Sequence, residues 1–390
     1  MPGFELFGDA ERKEVKDVLD SGVLMRYGFD GLRKGQWKAK DLETAIEKRF
    51  AVQYAQLLSS GTAAVSMALA ASGVGAGDEV IMPTLTFIAP VNAVSYNGAT
   101  SVFMDADQHY NMDAEKTIEF INNETIFKNG STYNKETNKK ISAILPVHMW
   151  GNACELDSIV DLCEKRNIAV VEDASESLGT VYTSGKFKRK HSGTIGKIGC
   201  LSFNGNKIIT TGGGGMILTD DPNLAEKANY LITQAKDDPV RYVHDEIGYN
   251  FRLTNIQAAL GVAQLEQLPG FLKHKREIHN QYQKALEDID GLTLASVPNN
   301  AQNNHWLNIL QIDTTVYNYG RENIMKKLEE SGIQTRPVWK LNHDQKPYKD
   351  YQYYKIENAK KLVENSLCLP SSSNLSSNDF NNIINCLLKV

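Results

Sequence analysis

The sequence predicts a two-lobed α/β protein: a mostly parallel sheet covered by helices, followed by a smaller α+β lobe. Strand-like and helix-like signals alternate from about residue 50 to 220, the rhythm of crossover units. Two long stretches, 50–77 and 81–104, carry no charged residue, as a densely packed interior would. After about residue 245 the texture changes to long amphipathic stretches. The length of 390 residues exceeds one average domain. The expected division is therefore a large lobe over 12–245 and a small one over 246–390.

Each element follows from its local pattern. Apolar runs bounded by turn residues at 79–82, 101–104, 141–147, 168–171 and 200–203 read as strands, with helices such as 62–71 and 155–166 between them. The polar, turn-rich segment 122–140 reads as a surface hairpin or excursion before the next strand. Further on, 255–268 and 272–289 read as two amphipathic helical stretches. A strand is expected at 307–312, a helix at 322–331 and a Pro-containing segment at 333–339. Pro83, Pro90, Asn92 and Asn97 break the second uncharged stretch, and Ser, Gly and Ala fill the first, so neither reads as a membrane span.

Composition narrows the function. Hydrophobic residues make up 42% and charged residues 23%, which excludes collagen, coiled coil and long disorder. The charge sum, 42 − 47 = −5, gives no electrostatic footprint for nucleic acid. The one basic run, KFKRKH at 186–191, reads as a solvated loop. The five cysteines form no CxxC pair, so a reducing cytoplasm fits better than a disulfide framework or zinc knuckle. The N-terminus is charged early and lacks the apolar core of a signal peptide. The histidines form no ligand spacing, and no metal is expected.

Four segments could carry chemistry. In GCLSFNGNKIITTGGGGM, Lys207 is the single charge in an otherwise uncharged run. Desolvation there would favour the neutral amine, the form that attacks a carbonyl in Schiff-base chemistry; on this segment alone, a lysine snorkelling to the surface from a strand edge is the favoured reading. In NIAVVEDASESLG an apolar strand ends in Glu172 and Asp173. Asp173 is either a helix cap or a carboxylate set against a pyridine nitrogen, keeping it protonated as an electron sink. In LSSGTAAVSMA, small hydroxyl residues and Gly61 open a helix whose N-terminus suits a phosphate, or Ser60 and Thr62 simply cap it. In PTLTFIAPVN, Phe87 follows a strand and could stack on a flat ring or join the core. Trp150 and Trp339 could approach such a site; Trp306 reads as core.

Together these are the parts of a pyridoxal phosphate site, and the sequence resembles the DegT-type family of pyridoxal phosphate-dependent sugar aminotransferases over nearly its whole length. The likeness lies in SSGTAAV at 59–65, GDEVIMPTLTFIAPVNAV at 77–94, VHMWGN at 147–152, VEDASESLG at 171–179, SFNGNKIITTGGGGM at 202–216, GYNFRLTNIQAALG at 248–261 and TRPVWK at 335–340. The resemblance implies a fold-type I, aspartate aminotransferase-like large domain. It implies that Lys207 holds the cofactor covalently and shuttles the proton, that Asp173 pairs with the ring nitrogen and that Phe87 stacks on the ring. Gly61, Thr62, Ala63 and Ser202 would hold the phosphate, and Asn250 would reach the phosphate of a neighbouring subunit, which makes a homodimer necessary. His343 matches a position near the sugar-binding edge. Arg252, Arg336 and Lys340 are the basic groups available for the glutamate carboxylate or a sugar diphosphate.

Two departures bear on substrate. Family members often have Gln or His near the ring hydroxyl where this chain has Glu176, and often a GEGG run where it has GGGG, with Gly213 in place of the acid. Both variants, with the polar excursion, resemble the subgroup that aminates C4 of UDP-linked 4-keto-6-deoxy N-acetyl sugars. The N-terminal PGFELFG…RYGFDG resembles relatives acting on an 8-keto form of Kdo instead. The expected reaction is ping-pong transfer from L-glutamate to a keto-sugar in bacterial surface glycan biosynthesis, with pyridoxal 5′-phosphate as cofactor and without nucleic acid or membrane partners. A dehydratase on the same fold is disfavoured because that subgroup typically has histidine at the lysine position. A non-catalytic regulator is disfavoured because Lys207, Asp173 and the phosphate cup are all present.

Overall fold

The computed structural model describes residues 7–25 and 36–388. Residues 2–6 and 26–31, most of the Kdo-like N-terminal stretch, lie outside the described residues. Helices α1 (Asp9–Ser21) and α2 (Lys38–Phe50) precede strand β1 (Tyr54–Leu58). Then come α3 (Gly61–Ala71), β2 (Glu79–Pro83), α4 (Ile88–Tyr96) and β3 (Thr100–Met104). Helix α5 (Ala114–Asn123) leads into the hairpin β4 (Thr125–Lys128) and β5 (Ser131–Asn134), followed by β6 (Lys140–Ile144), α6 (Asp157–Lys165), β7 (Ala169–Asp173) and β8 (Val181–Tyr182). β9 (Ile198–Ser202), β10 (Gly215–Thr219) and α7 (Pro222–Ile232) complete this part.

The remainder comprises α8 (Asn255–Leu286), β11 (Leu292–Leu294), β12 (Ala301–Gln302), β13 (Asn308–Ile312), α9 (Arg321–Glu330) and β14 (Arg336–Pro337). β15 (Tyr353–Tyr354), α10 (Asn358–Asn365), β16 (Ser366–Leu369) and α11 (Ser377–Leu388) follow.

Among the described residues, a ten-stranded sheet runs β1-β10-β9-β7-β6-β2-β3-β15, with β5 on β6 and β4 on β5. From β9 to β15 the neighbours along this order are parallel. β10 runs antiparallel to both β9 and β1, so β1 points the same way as β9. Every residue of β2, β7, β9 and β10 is buried, as expected where helices cover both faces. The excursion at 122–140 is the hairpin β4–β5, laid on the edge of β6.

Helix α3 is apolar all round and almost wholly buried, pressed on the sheet by Ala63, Ala64, Met67 and Ala68. The smaller sheet, β11-β13-β16-β14, is antiparallel and packs Leu310, Ile312, Leu367 and Leu369 against Ile278, Tyr282, Ile324 and Leu387. β15 leaves this part of the chain to extend the large sheet beside β3.

The two amphipathic stretches expected at 255–268 and 272–289 are one helix, α8, which runs through Pro269 and ends at Leu286. A proline removes one backbone donor and crowds one carbonyl. The apolar anchors on both sides of it, Leu265 and Leu268 before and Ile278 and Tyr282 after, keep the two halves continuous. No helix among the described residues is long and apolar enough to cross a membrane.

His305 sits at φ 51 with its ring 4.0 Å from that of His279. Burial, with His279, Arg276 and Lys275 nearby, pushes its pKa from the ordinary 6.5 down to about 3. An unfolded chain takes up this proton near pH 6.5 and the folded chain does not until about 3. Stability is therefore fully present above 6.5 and falls as pH drops through that window, by up to about 1.4 kcal/mol per pH unit. His305→Asn keeps a side chain that tolerates positive φ and removes the titration. Its thermal midpoint should fall less than the wild type's between pH 7 and 5; equal losses would remove His305 from the account.

Candidate active site

The carboxyl ends of β1, β2, β7 and β9 meet at one edge of the large sheet, where ligands bind in this architecture. A cavity of about 300 Å³ opens there. It is lined by Gly61 and Thr62 after β1, Thr86 and Phe87 after β2, Asp173 and Glu176 from the end of β7 onward, and Ser202 and Lys207 from the end of β9 onward. A larger open cleft, about 680 Å³, lies near α9 and α11. Its lining has no buried side-chain polar atom lacking a partner among the described residues.

Asp173 is fixed by its strand end. Its backbone N–H donates to the Pro146 carbonyl at 2.9 Å, and its own carbonyl accepts the His148 N–H at 3.0 Å. Behind it His148 and Glu172 are fully buried and bonded at 2.8 Å. The Cys154 N–H donates to His148 Nδ1, so Nε2 carries the ring proton toward Glu172. No helix follows Asp173: its Oδ1 accepts the Ser175 N–H at 3.0 Å in a tight turn, leaving Oδ2 for the cavity.

At the helix terminus a side-chain cap and two open first-turn amides coexist. Ser60 caps α3 by accepting the Ala63 N–H at 3.0 Å, which occupies Ala63's amide. Gly61 and Thr62 supply first-turn amides that the helix itself cannot pair. Gly61 has to be glycine: a Cβ there would lie 2.7 Å from Ser202 Cβ and 2.9 Å from Ser202 Oγ. The empty space at that atom brings the Ser202 hydroxyl against the helix terminus. Gly61→Ala should weaken cofactor binding about tenfold or more by pushing Ser202 out of the cradle; fluorescence titration with the cofactor measures it, and unchanged affinity would show that the cradle lies elsewhere.

Lys207 is half-buried, with Nζ 4.0 Å from the centroid of the Trp306 ring. Burial lowers its pKa, and the charges of Glu176 and Asp173 oppose that shift. Burial pushes the Glu176 carboxyl up to about 7; Lys207 and the Trp150 N–H, donated to Glu176 Oε2 at 2.8 Å, act the other way. Phe87 is 49% exposed, with its ring 5.5 Å from that of Trp339, so it faces the cavity rather than the core. Trp306 is buried as expected of core, yet it also lines the cavity.

The other expected residues lie outside this chain's cavity lining. Asn250 is exposed, and Arg252 pairs through its backbone with Leu58. Arg336 and Lys340 are exposed. His343 is buried, with Nδ1 2.6 Å from Thr84 Oγ1 and its ring 4.9 Å from that of Tyr353. Ser175, Asn204 and Asn206 line the cavity and were not singled out from the sequence. Asn204 and Asn206 flank Lys207 closely, a proximity that was legible.

A lysine amine, a fixed carboxylate and an open helix N-terminus meet at the carboxyl ends of the strands, the combination expected of α/β enzymes that work through a lysine. Residues 7–388 match the model of the DegT/DnrJ/EryC1/StrS aminotransferase family, and the chain belongs to that family. EpsN of Bacillus subtilis (strain 168), provisionally named a pyridoxal phosphate-dependent aminotransferase, is 36% identical over 351 residues, 89% of this chain and 86% of that one. A GDP-perosamine synthase of Escherichia coli O157:H7 is 36% identical over 366 residues, 94% of this chain and 91% of that one. The crystal structure of a DegT DnrJ EryC1 StrS aminotransferase from Brucella abortus superposes with a TM-score of 0.85 at 25% identity, covering 98% of this chain and 95% of that one.

The chain is thus an aminotransferase of the fold-type I class, whose cofactor is pyridoxal 5′-phosphate. The residues present fit that group. A phosphate has the cradle that Gly61 leaves open, a pyridine nitrogen has the free oxygen of Asp173, and an aldehyde has the Lys207 amine.

Proposed function

We propose that the enzyme moves the amino group of L-glutamate to the keto carbon of a nucleotide-linked sugar, C4 of a UDP-linked 4-keto-6-deoxy N-acetyl hexose, for surface glycan synthesis. The observation that carries this reading is the Lys207 amine held in the same cavity as Asp173 and the glycine-opened cradle. Bound there, pyridoxal phosphate supplies an electron sink for proton removal at the donor's α-carbon. Lys207 Nζ takes that proton and returns it, and Asp173 Oδ2 holds the proton of the ring nitrogen. The amides of Gly61 and Thr62, with the Thr62 and Ser202 hydroxyls, bind the phosphate. Phe87 would cover the ring, and Glu176 lines the same cavity, where its charge favours the protonated Lys207. Trp306 and Trp339 limit water.

The acceptor assignment rests on Glu176, Gly213 and the β4–β5 hairpin, the features shared with the C4-aminating subgroup. The relatives named GDP-perosamine synthase bring a GDP-linked sugar as the second acceptor class. A homodimer is part of the same proposal. Asn250 does not line its own chain's cavity, and the segment before it exposes Val240, Tyr242 and Ile247 at 81%, 74% and 84%. Such apolar exposure in one loop suits burial against a second copy.

The test is a two-stage titration. Glutamate should shift the absorbance of the cofactor-loaded protein and release one equivalent of 2-oxoglutarate. Keto-sugars are then offered one at a time: UDP-linked and GDP-linked 4-keto-6-deoxy sugars and 8-keto-Kdo. Recovery of the original spectrum with the UDP-linked sugar supports the proposal. Recovery with only one of the others reassigns the acceptor, and recovery with none rejects a keto-sugar of these classes.

A further inference from the structure

Trp306 lines the site from the C-terminal part of the chain, as Trp339 does, and three hydrogen bonds fix it. Asn304 Oδ1 accepts its backbone N–H at 2.9 Å. Lys275 Nζ donates to its carbonyl at 3.1 Å. Its indole Nε1–H donates to the Asn206 carbonyl at 2.7 Å. Asn304 is itself anchored, its Nδ2 donating to the carbonyls of Glu176 and Leu178 at 2.8 and 3.0 Å. Gly151, at φ 98, makes room for this turn; a Cβ there would lie 1.9 Å from Asn304 Oδ1. The segment carrying Trp306 is therefore tied to the loop that carries Glu176.

The tryptophan grips the lysine segment twice. Its N–H holds the carbonyl of the residue immediately before Lys207, and its ring lies 4.0 Å from the Lys207 Nζ. At 2% exposure it is confined by packing. The face of an indole carries negative potential and attracts an ammonium, more strongly where water is excluded. That attraction adds to the charges of Glu176 and Asp173 and opposes the loss of the lysine's proton through burial. Lys275, whose pKa burial lowers to about 7, meets the backbone carbonyl of Trp306.

We propose that Trp306 is the seat of the free Lys207 ammonium: its ring holds the protonated side chain whenever the lysine is not joined to the cofactor. It acts as a positioning residue for the proton carrier. The inference deepens the aminotransferase reading and rests on it. A protonated lysine is held by the ring face and a neutral one is not, so the seat keeps the carrier beside the cavity until its proton is handed on.

The test uses the full-length protein loaded with added pyridoxamine 5′-phosphate, in which Lys207 is free. Competitive acylation across pH, followed by peptide mapping, gives the apparent pKa of the Lys207 amine without any turnover. Failure of the keto-sugar screen would therefore leave this measurement intact. Trp306→Leu should lower that pKa by about one unit, a tenfold change in the neutral fraction, equivalent to about 1.4 kcal/mol. Trp306→Phe, which keeps a ring face without the indole N–H, should lower it less. A tryptophan that merely walls out water predicts the opposite sign, because its loss would hydrate the amine and raise its pKa. An unchanged or raised value in both variants overturns the seat. If Trp306→Leu does not fold, Trp306→Phe decides: a lowered value upholds the seat, and an unchanged or raised one rejects it.

Discussion

Lys207→Ala is expected to abolish amino transfer, with a loss of at least about 10⁴-fold, because in the proposed mechanism it removes the covalent anchor and the proton carrier together. The fold should persist. The lysine is half-buried and its ammonium rests on a ring face rather than in a hydrogen-bonded network, so its removal orphans no buried polar group. Cofactor should still bind through the cradle at Gly61, but only non-covalently. Borohydride reduction followed by peptide mapping should tag Lys207 in the wild type and nothing at that position in the variant. Sustained transamination by the variant, or a wild-type tag on another lysine, would refute the assignment.

Asp173→Asn is the second large effect expected, a fall in kcat of about 10³-fold, or about 4 kcal/mol of transition-state stabilisation. The substitution is nearly isosteric. An asparagine Oδ1 can still accept the Ser175 N–H, so the turn after β7 should hold. What disappears is the negative charge available to a protonated ring nitrogen. Asp173 also bears on its neighbours: its charge raises the pKa values of both Lys207 and Glu176. Its loss should move both downward, so any limb of the pH–rate profile that they govern should shift to lower pH. A near-normal rate, or limbs displaced upward, would count against this role.

Much of the fold was legible because the signals were local. Strands β2, β3, β6, β7 and β9 fall on the apolar runs, and the hairpin β4–β5 falls on the polar excursion. α8 was misdivided because Pro269 is a strong local breaker, while the contacts that carry the helix through it come from distant segments. Of the cavity lining, Lys207, Asp173, Gly61, Thr62, Ser202, Phe87 and Glu176 were named from their motifs. Trp306 was read as core, and its burial agrees; its second position, under the lysine, had no local signature. Phe87 shows the reverse: core and stacking readings stood open, and its exposure toward the cavity separates them.

Near-neighbour chemistry is written directly in the chain. Strand periodicity, the Ser60 cap and the isolation of Lys207 among uncharged residues depend on groups a few positions apart, so a reader of the string can weigh them. Which of those groups meet was set by the order and register of the sheet, where β10 runs antiparallel between β1 and β9 so that the carboxyl ends of β1, β9 and β7 come to the same side. It was set too by the Asn304 turn folding over Gly151 to bring Trp306 beneath Lys207. Contacts of that kind join residues remote in sequence through steric fit and hydrogen bonding that arise only once the sheet has formed, and no short motif encodes them.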